Sequence, residues 1–141
     1  MDWMLMPYRR YAEFAGRSQR KEYWMFVLFQ IIVMIVPYIL LFAGAPAVDP
    51  MTGETMGSPG VLFYLAFIII IVFALVTIIP SIAVIVRRLH DTDHSGWWYW
   101  IQLIPLVGPI IMLVFLCSDG TPGPNRFGPD PKGRSDAEVF S

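Results

Sequence analysis

Three apolar runs divide the chain: residues 24–43, WMFVLFQIIVMIVPYILLFA; residues 61–86, VLFYLAFIIIIVFALVTIIPSIAVIV; and residues 97–117, WWYWIQLIPLVGPIIMLVFLC. None contains Asp, Glu, Lys or Arg. A helix rises about 1.5 Å per residue and a hydrocarbon core is about 30 Å thick, so the first two runs predict membrane-spanning helices. The second is rich in β-branched residues, a strand signal in water. In lipid only helices and closed barrels satisfy the backbone, and this run is too long and too unalternated for a barrel strand. At 26 residues it must tilt, kink at Pro80 or protrude from the core. Pro105, Gly108 and Pro109 interrupt the middle of the third run. It is therefore either a kinked span or a re-entrant hairpin of two half-helices, and its 21-residue length favours the span.

The polar segments between these runs have distinct characters. Residues 1–23 mix Trp3, Tyr8, Tyr11 and Phe14 with five basic residues, which predicts a short helix lying in the membrane surface. Residues 44–60 carry four glycines and three prolines and predict an irregular loop. Residues 118–141 carry four prolines and four glycines, so an irregular turn-rich tail is expected, disordered over 134–141. The first run exceeds the h-region of a signal peptide, about 7–15 residues, and Pro46 follows the cleavage-like Ala43-Gly44-Ala45, so an uncleaved span is expected. The outcome is one membrane domain over residues 1–133.

Composition sharpens this picture. The chain has 141 residues, 56% hydrophobic and 15% charged, against about a quarter charged in soluble domains. The net charge of −1 gives no global field for nucleic acid. The single cysteine, Cys117, excludes an internal disulfide and a cysteine-based metal site. Lys and Arg number five in 1–23, none in 44–60, two in 87–96 and three in 118–141. The positive-inside rule then places the N-terminus and residues 87–96 in the cytoplasm and the first loop outside. Three full spans leave three basic residues outside, whereas a re-entrant third run brings all ten inside.

The densest chemistry lies in Arg87-Arg88-Leu89-His90-Asp91-Thr92-Asp93-His94-Ser95-Gly96-Trp97-Trp98-Tyr99-Trp100. His90, Asp91, Asp93 and His94 offer metal-type ligands, but their spacing matches no established ligand set. A hinge between two membrane runs explains them more simply, with the acids pairing the arginines, Asp93 or Ser95 capping the next helix, and the tryptophans forming an interfacial belt. The residues 16–24, GRSQRKEYW, repeat the order of basic residue, aromatic and span, on the same face. Arg17, Arg20, Lys21, Arg87, Arg88, His90, Asp91, Trp97 and Trp98 are therefore candidates for a platform that binds an anionic lipid headgroup or docks a partner. In the tail, Asn125, Arg126, Phe127 and Gly128 form a structural turn motif able to dock Arg126 and Phe127 back on the interface. No catalytic constellation, metal site or cofactor motif is legible, and a non-enzymatic protein is expected. The alternative is an oligomeric small-solute transporter or channel with a polar path through Gln30, Thr77 and Ser81. A homo-oligomer is physically reasonable because three helices bury little by themselves.

Gly16-Arg17, Arg20-Lys21-Glu22-Tyr23-Trp24, Arg87-Arg88-Leu89-His90-Asp91, Ser95-Gly96-Trp97-Trp98, Gly120-Thr121, Gly123 and Asn125-Arg126-Phe127-Gly128-Pro129-Asp130-Pro131 together resemble the DUF805 family of small bacterial inner-membrane proteins. The resemblance runs from about residue 8 to 132 with the motifs in order. It implies a multi-pass protein of the bacterial plasma membrane and implies no activity. The fold expected is all-α and integral to the membrane, with three transmembrane helices, the third span or re-entrant, an interfacial N-terminal helix and a Gly/Pro-rich tail.

Overall fold

The computed structural model describes residues 2–133; the disorder expected for 134–141 lies outside the described residues. The elements in order are α1 (Asp2–Arg9), α2 (Arg20–Ala43), β1 (Ala47–Val48), β2 (Thr55–Met56), α3 (Val61–Asp91), a 3₁₀ helix (Gly96–Leu103) and α4 (Val107–Cys117). Two compact units are present, one built from the two ends of the chain and the other from Phe29–Ile78.

Two helices, α2 and α3, are long and apolar enough to cross a membrane. Most of their large apolar side chains, such as Val36, Ile39, Phe42 and Leu75, face outward. That is the reverse of a water-soluble core and suits lipid as solvent. Both helices exceed the uncharged runs. The helix α2 starts at Arg20 and α3 continues to Asp91, a length of about 46 Å at about 1.5 Å per residue. Arg87, Arg88, His90 and Asp91 are therefore the last turns of a helix and not a hinge loop. The basic residues in that turn complement the negative end of the helix dipole.

In the unit Phe29–Ile78, α2 ends against the start of α3. The Gly60 amide donates to the Gly44 carbonyl at 2.9 Å. A β-carbon at Gly44 would overlap the Phe63 backbone, so only glycine fits. The loop expected to be irregular holds one small antiparallel hairpin, pairing Ala47 with Met56 and Val48 with Thr55. Asp49 closes its turn by accepting from the Met51 amide at 2.8 Å, which holds the Asp49 carboxyl below its ordinary value.

The unit formed by the chain ends contains α1, the third apolar run and the tail. The N-terminal helix covers only Asp2–Arg9, with residues 10–19 irregular. The third run is not one helix: it divides into the 3₁₀ helix and α4. Ser95 caps the 3₁₀ helix by accepting from the Trp97 amide. At Leu106 φ is 66° and ψ is −52°, and the Val107 amide reaches the Pro105 carbonyl at 2.8 Å. That is the strained form of the γ-turn. It folds α4 back on the 3₁₀ helix so closely that a β-carbon at Gly108 would overlap the Ile101 carbonyl. Pro105 and Pro109 explain the break, since neither can donate a helical hydrogen bond. The 11 residues of α4 span about 16 Å, half of a hydrocarbon core. Leu89, Met112 and Leu116 are the buried centre of this unit, with Tyr23, Ile85, Tyr99, Ile101 and Phe115 packed around them.

Candidate functional site: a buried ionic clamp

The densest polar site lies in the unit made by the chain ends. Arg87, Arg88, Arg17, Glu22 and Asp91 are all buried, the two consecutive arginines completely. Burying a charge is costly unless it is paired and hydrogen-bonded, so every interaction here has a partner to explain.

Asp91 is the hub. One carboxylate oxygen accepts from Arg17, with Nη2 at 2.9 Å and Nε at 3.0 Å. The other accepts from Arg88 at 2.6 Å. Arg17 Nη2 also donates to the Thr121 carbonyl and Nη1 to the Gly123 carbonyl in the tail, each at 2.6 Å. Arg88 donates to the carbonyls of Leu116 and Ser118, where the end of α4 leaves carbonyls without helical partners. Arg87 pairs with Glu22 at 3.0 Å and donates to the carbonyls of Arg10 and Glu13. Three buried guanidiniums thus face two buried carboxylates. The excess charge is spread over seven backbone carbonyls, those of Arg10, Glu13, Asp91, Leu116, Ser118, Thr121 and Gly123. Arginine suits the task because it keeps its charge when buried and presents five donors in a planar fork.

A second layer holds the tail against α3. His90 places Nδ1 3.1 Å from the Gly16 carbonyl, which makes that nitrogen the donor. Its ring stacks on Phe127 at 4.0 Å, 3° from parallel. Asn125 donates to the His90 carbonyl and the Thr121 hydroxyl at 2.9 and 3.0 Å, and accepts from the Phe127 amide at 2.9 Å. Arg126 binds Asp93 at 3.2 Å and lies over the Phe127 ring. Gly120 packs so tightly on the Asp91 carboxylate that any side chain there would displace it. Outside the clamp, Arg10 donates to Glu13 at 2.7 Å, and that bond holds the Glu13 carboxyl below its ordinary value.

The candidate residues therefore separate. Arg17, Arg87, Arg88 and Asp91 are spent on one another and on backbone carbonyls. The expectation that they face a lipid headgroup gives way to burial. Arg20, Lys21, Trp97 and Trp98 reach the surface, Trp97 with 79% of its area exposed. His90, Asp91, Asp93 and His94 do not converge, because His94 turns to Thr92, Trp98 and Phe115 while Asp93 turns to Arg126. Among the described residues no group of three His, Cys, Asp or Glu is placed to hold a metal. Thr77 spends its hydroxyl on its own helix, on the carbonyls of Phe73 and Ala74. The carbonyls of Leu116, Ser118, Thr121 and Gly123 were not singled out as ligands from the sequence, since a carbonyl ligand leaves no residue-type signal. Among the described residues, two buried polar atoms, Ser18 Oγ and Arg87 Nε, lack a hydrogen-bond partner.

The three segments that meet in the clamp are those that carry a recognisable signature. Residues 11–129 match the family model described as "Protein of unknown function (DUF805)". The chain belongs to the DUF805 family. Similar members include "Inner membrane protein YhaH" of Escherichia coli strain K12, 44% identical over 94% of this chain and 98% of that one. "Inner membrane protein YhaI" of the same strain is 40% identical over 94% and 97%. "Uncharacterized protein YiiR" is 27% identical over 83% and 84%. No solved structure matches the chain. As a DUF805 member with two long apolar helices, the chain is a membrane protein whose environment is a lipid bilayer.

Proposed function

We propose that this DUF805 member is a non-enzymatic protein of the bacterial inner membrane, a single membrane domain whose cytoplasmic face recognises anionic phospholipid. In this reading α2 and α3 are the only spans among the described residues. The third apolar run is a re-entrant hairpin, and both termini lie in the cytoplasm.

The observation that carries the reading is the bonding of Arg88, at the end of α3, to the Leu116 and Ser118 carbonyls at the end of α4. The run leaves from the end of α3 and returns to it. A run that crossed the bilayer would end about 30 Å away. The charge distribution agrees, because a re-entrant run puts all ten basic residues on one face and none in the opposite loop. The clamp's carboxylates are buried against arginines, which leaves the exposed basic and aromatic residues as the surface for recognition.

Reporter fusions test the topology. A reporter at Ser141 is expected to be active only as a cytoplasmic marker, and one inserted at Gly53 only as a periplasmic marker; a periplasmic Ser141 would overturn the two-span reading. Native mass spectrometry of the detergent-extracted chain tests the lipid reading. Phosphatidylglycerol retained in preference to phosphatidylcholine is expected, and equal retention would overturn it.

A further inference from the structure

We infer that the groove lined by Arg20, Lys21, Trp24, Met25 and Cys117 holds one anionic phospholipid, with its phosphate against Lys21 and Arg20 and an acyl chain along Trp24. The inference rests on the anionic-lipid reading above and gives it an address.

The groove has a volume of ≈ 390 Å³. Its lining changes character along one helix. Arg20 and Lys21 lie on the first turn of α2, and Trp24 and Met25 lie one turn deeper at i+4, on the same face. Leu28 continues that stripe and is exposed. A charged level above an indole level above an aliphatic level is the order of a phospholipid's own layers. Lys21 is exposed, and its ammonium sits over the Trp3 ring at 5.4 Å from the centroid, so α1 positions the cation without neutralising it. Arg20 anchors the far wall through the Cys117 carbonyl at 3.1 Å and Asp119 at 2.5 Å. Asp119 also binds Lys132 at 3.0 Å. Three cations against one carboxylate leave a positive surplus, which favours a lipid of net negative charge over a zwitterion. The buried arginines of the clamp add no competing site because they are shut off from solvent.

Cys117, the chain's one cysteine, is exposed on the groove wall and reports its occupancy. The rate of Cys117 alkylation by a maleimide is measured on the full chain in neutral detergent, with phosphatidylglycerol, phosphatidylcholine or inorganic phosphate added. A surface lysine contributes about 1 kcal/mol toward an anionic lipid, so phosphatidylglycerol is expected to slow alkylation roughly five-fold more than phosphatidylcholine. Lys21→Gln should abolish that difference, Lys21→Arg should keep it, and Arg9→Gln, exposed outside the groove, should leave it unchanged. Equal protection by both lipids overturns the inference, as does protection that survives Lys21→Gln or falls equally with Arg9→Gln. Protection by inorganic phosphate alone also overturns it, since that result makes the groove a free-anion site. If phosphatidylglycerol co-purifies while Cys117 stays unprotected, the address is wrong and the lipid reading stands.

Discussion

Arg17 and Asp91, 74 residues apart in the chain, meet at 2.9 Å with almost no solvent exposure. The pair joins the segment before α2 to the end of α3, and through Arg17 it also fixes the tail carbonyls of Thr121 and Gly123. Asp91→Asn removes the anion between Arg17 and Arg88 while keeping the side-chain shape. Two buried guanidiniums then share no carboxylate, and breaking a buried pair costs about 3–5 kcal/mol. Thermal unfolding in detergent should show a clear fall in midpoint. An unchanged midpoint would mean that water solvates the two guanidiniums in place of Asp91.

Glu22 and Arg87 form the second buried pair, at 3.0 Å. Glu22→Gln alone should destabilise by about 3–5 kcal/mol because Arg87 loses its counter-charge. Adding Arg87→Met removes the orphaned charge, so the double variant should be more stable than the sum of the single effects. It will not reach wild type, since the Arg10 and Glu13 carbonyls lose their donor. A double-mutant cycle read by unfolding midpoints measures the coupling. Strict additivity would show that the two side chains do not interact.

The apolar runs made α2 and α3 legible, because twenty uncharged residues have few other solutions in lipid. Their ends were not. Arg20 and Arg87 lay outside the expected spans, yet both lie within α2 and α3 because Asp119, Glu22 and backbone carbonyls accept from them. The break in the third run was visible in Pro105, Gly108 and Pro109, but its direction was not. The fold-back depends on the γ-turn at Leu106, a residue with no turn propensity of its own. Of the candidate site residues, Arg17, Arg87, Arg88 and Asp91 are buried against one another, while Arg20, Lys21, Trp97 and Trp98 reach the surface. Basic residues beside aromatics look the same whether they face a headgroup or a buried carboxylate, and only the 74-residue separation closed by the fold distinguishes the two.

Gly108 tests the fold-back directly. Its β-carbon position coincides with the Ile101 carbonyl, so Gly108→Ala must part the 3₁₀ helix from α4. Overpacking of this kind costs about 1–3 kcal/mol. Gly60→Ala is the matched control, since a β-carbon there meets only ordinary contacts near 3.7 Å. It should change stability by less than about 0.5 kcal/mol. Equal tolerance of both substitutions would show that the hairpin is not closely packed.

Asn125 decides whether the tail stays docked. Its amide nitrogen donates to the His90 carbonyl and the Thr121 hydroxyl, while its oxygen accepts from the Phe127 amide. Asn125→Asp preserves the acceptor and removes both donations, setting a carboxylate oxygen against the His90 carbonyl. Leaving such groups unsatisfied costs about 1–3 kcal/mol. The effect should be local, because the ion pairs of Arg17, Arg87 and Arg88 do not pass through Asn125. Trypsin cleavage after Arg126 should therefore quicken roughly five-fold or more, the population change that such a cost implies when opening precedes cleavage. The unfolding midpoint should fall less than in Asp91→Asn. Phe127→Leu removes only the stack on His90 and should accelerate cleavage to a smaller extent. If Asn125→Asp leaves cleavage unchanged, the carbonyl bonds to Arg17 hold the tail without help from the turn.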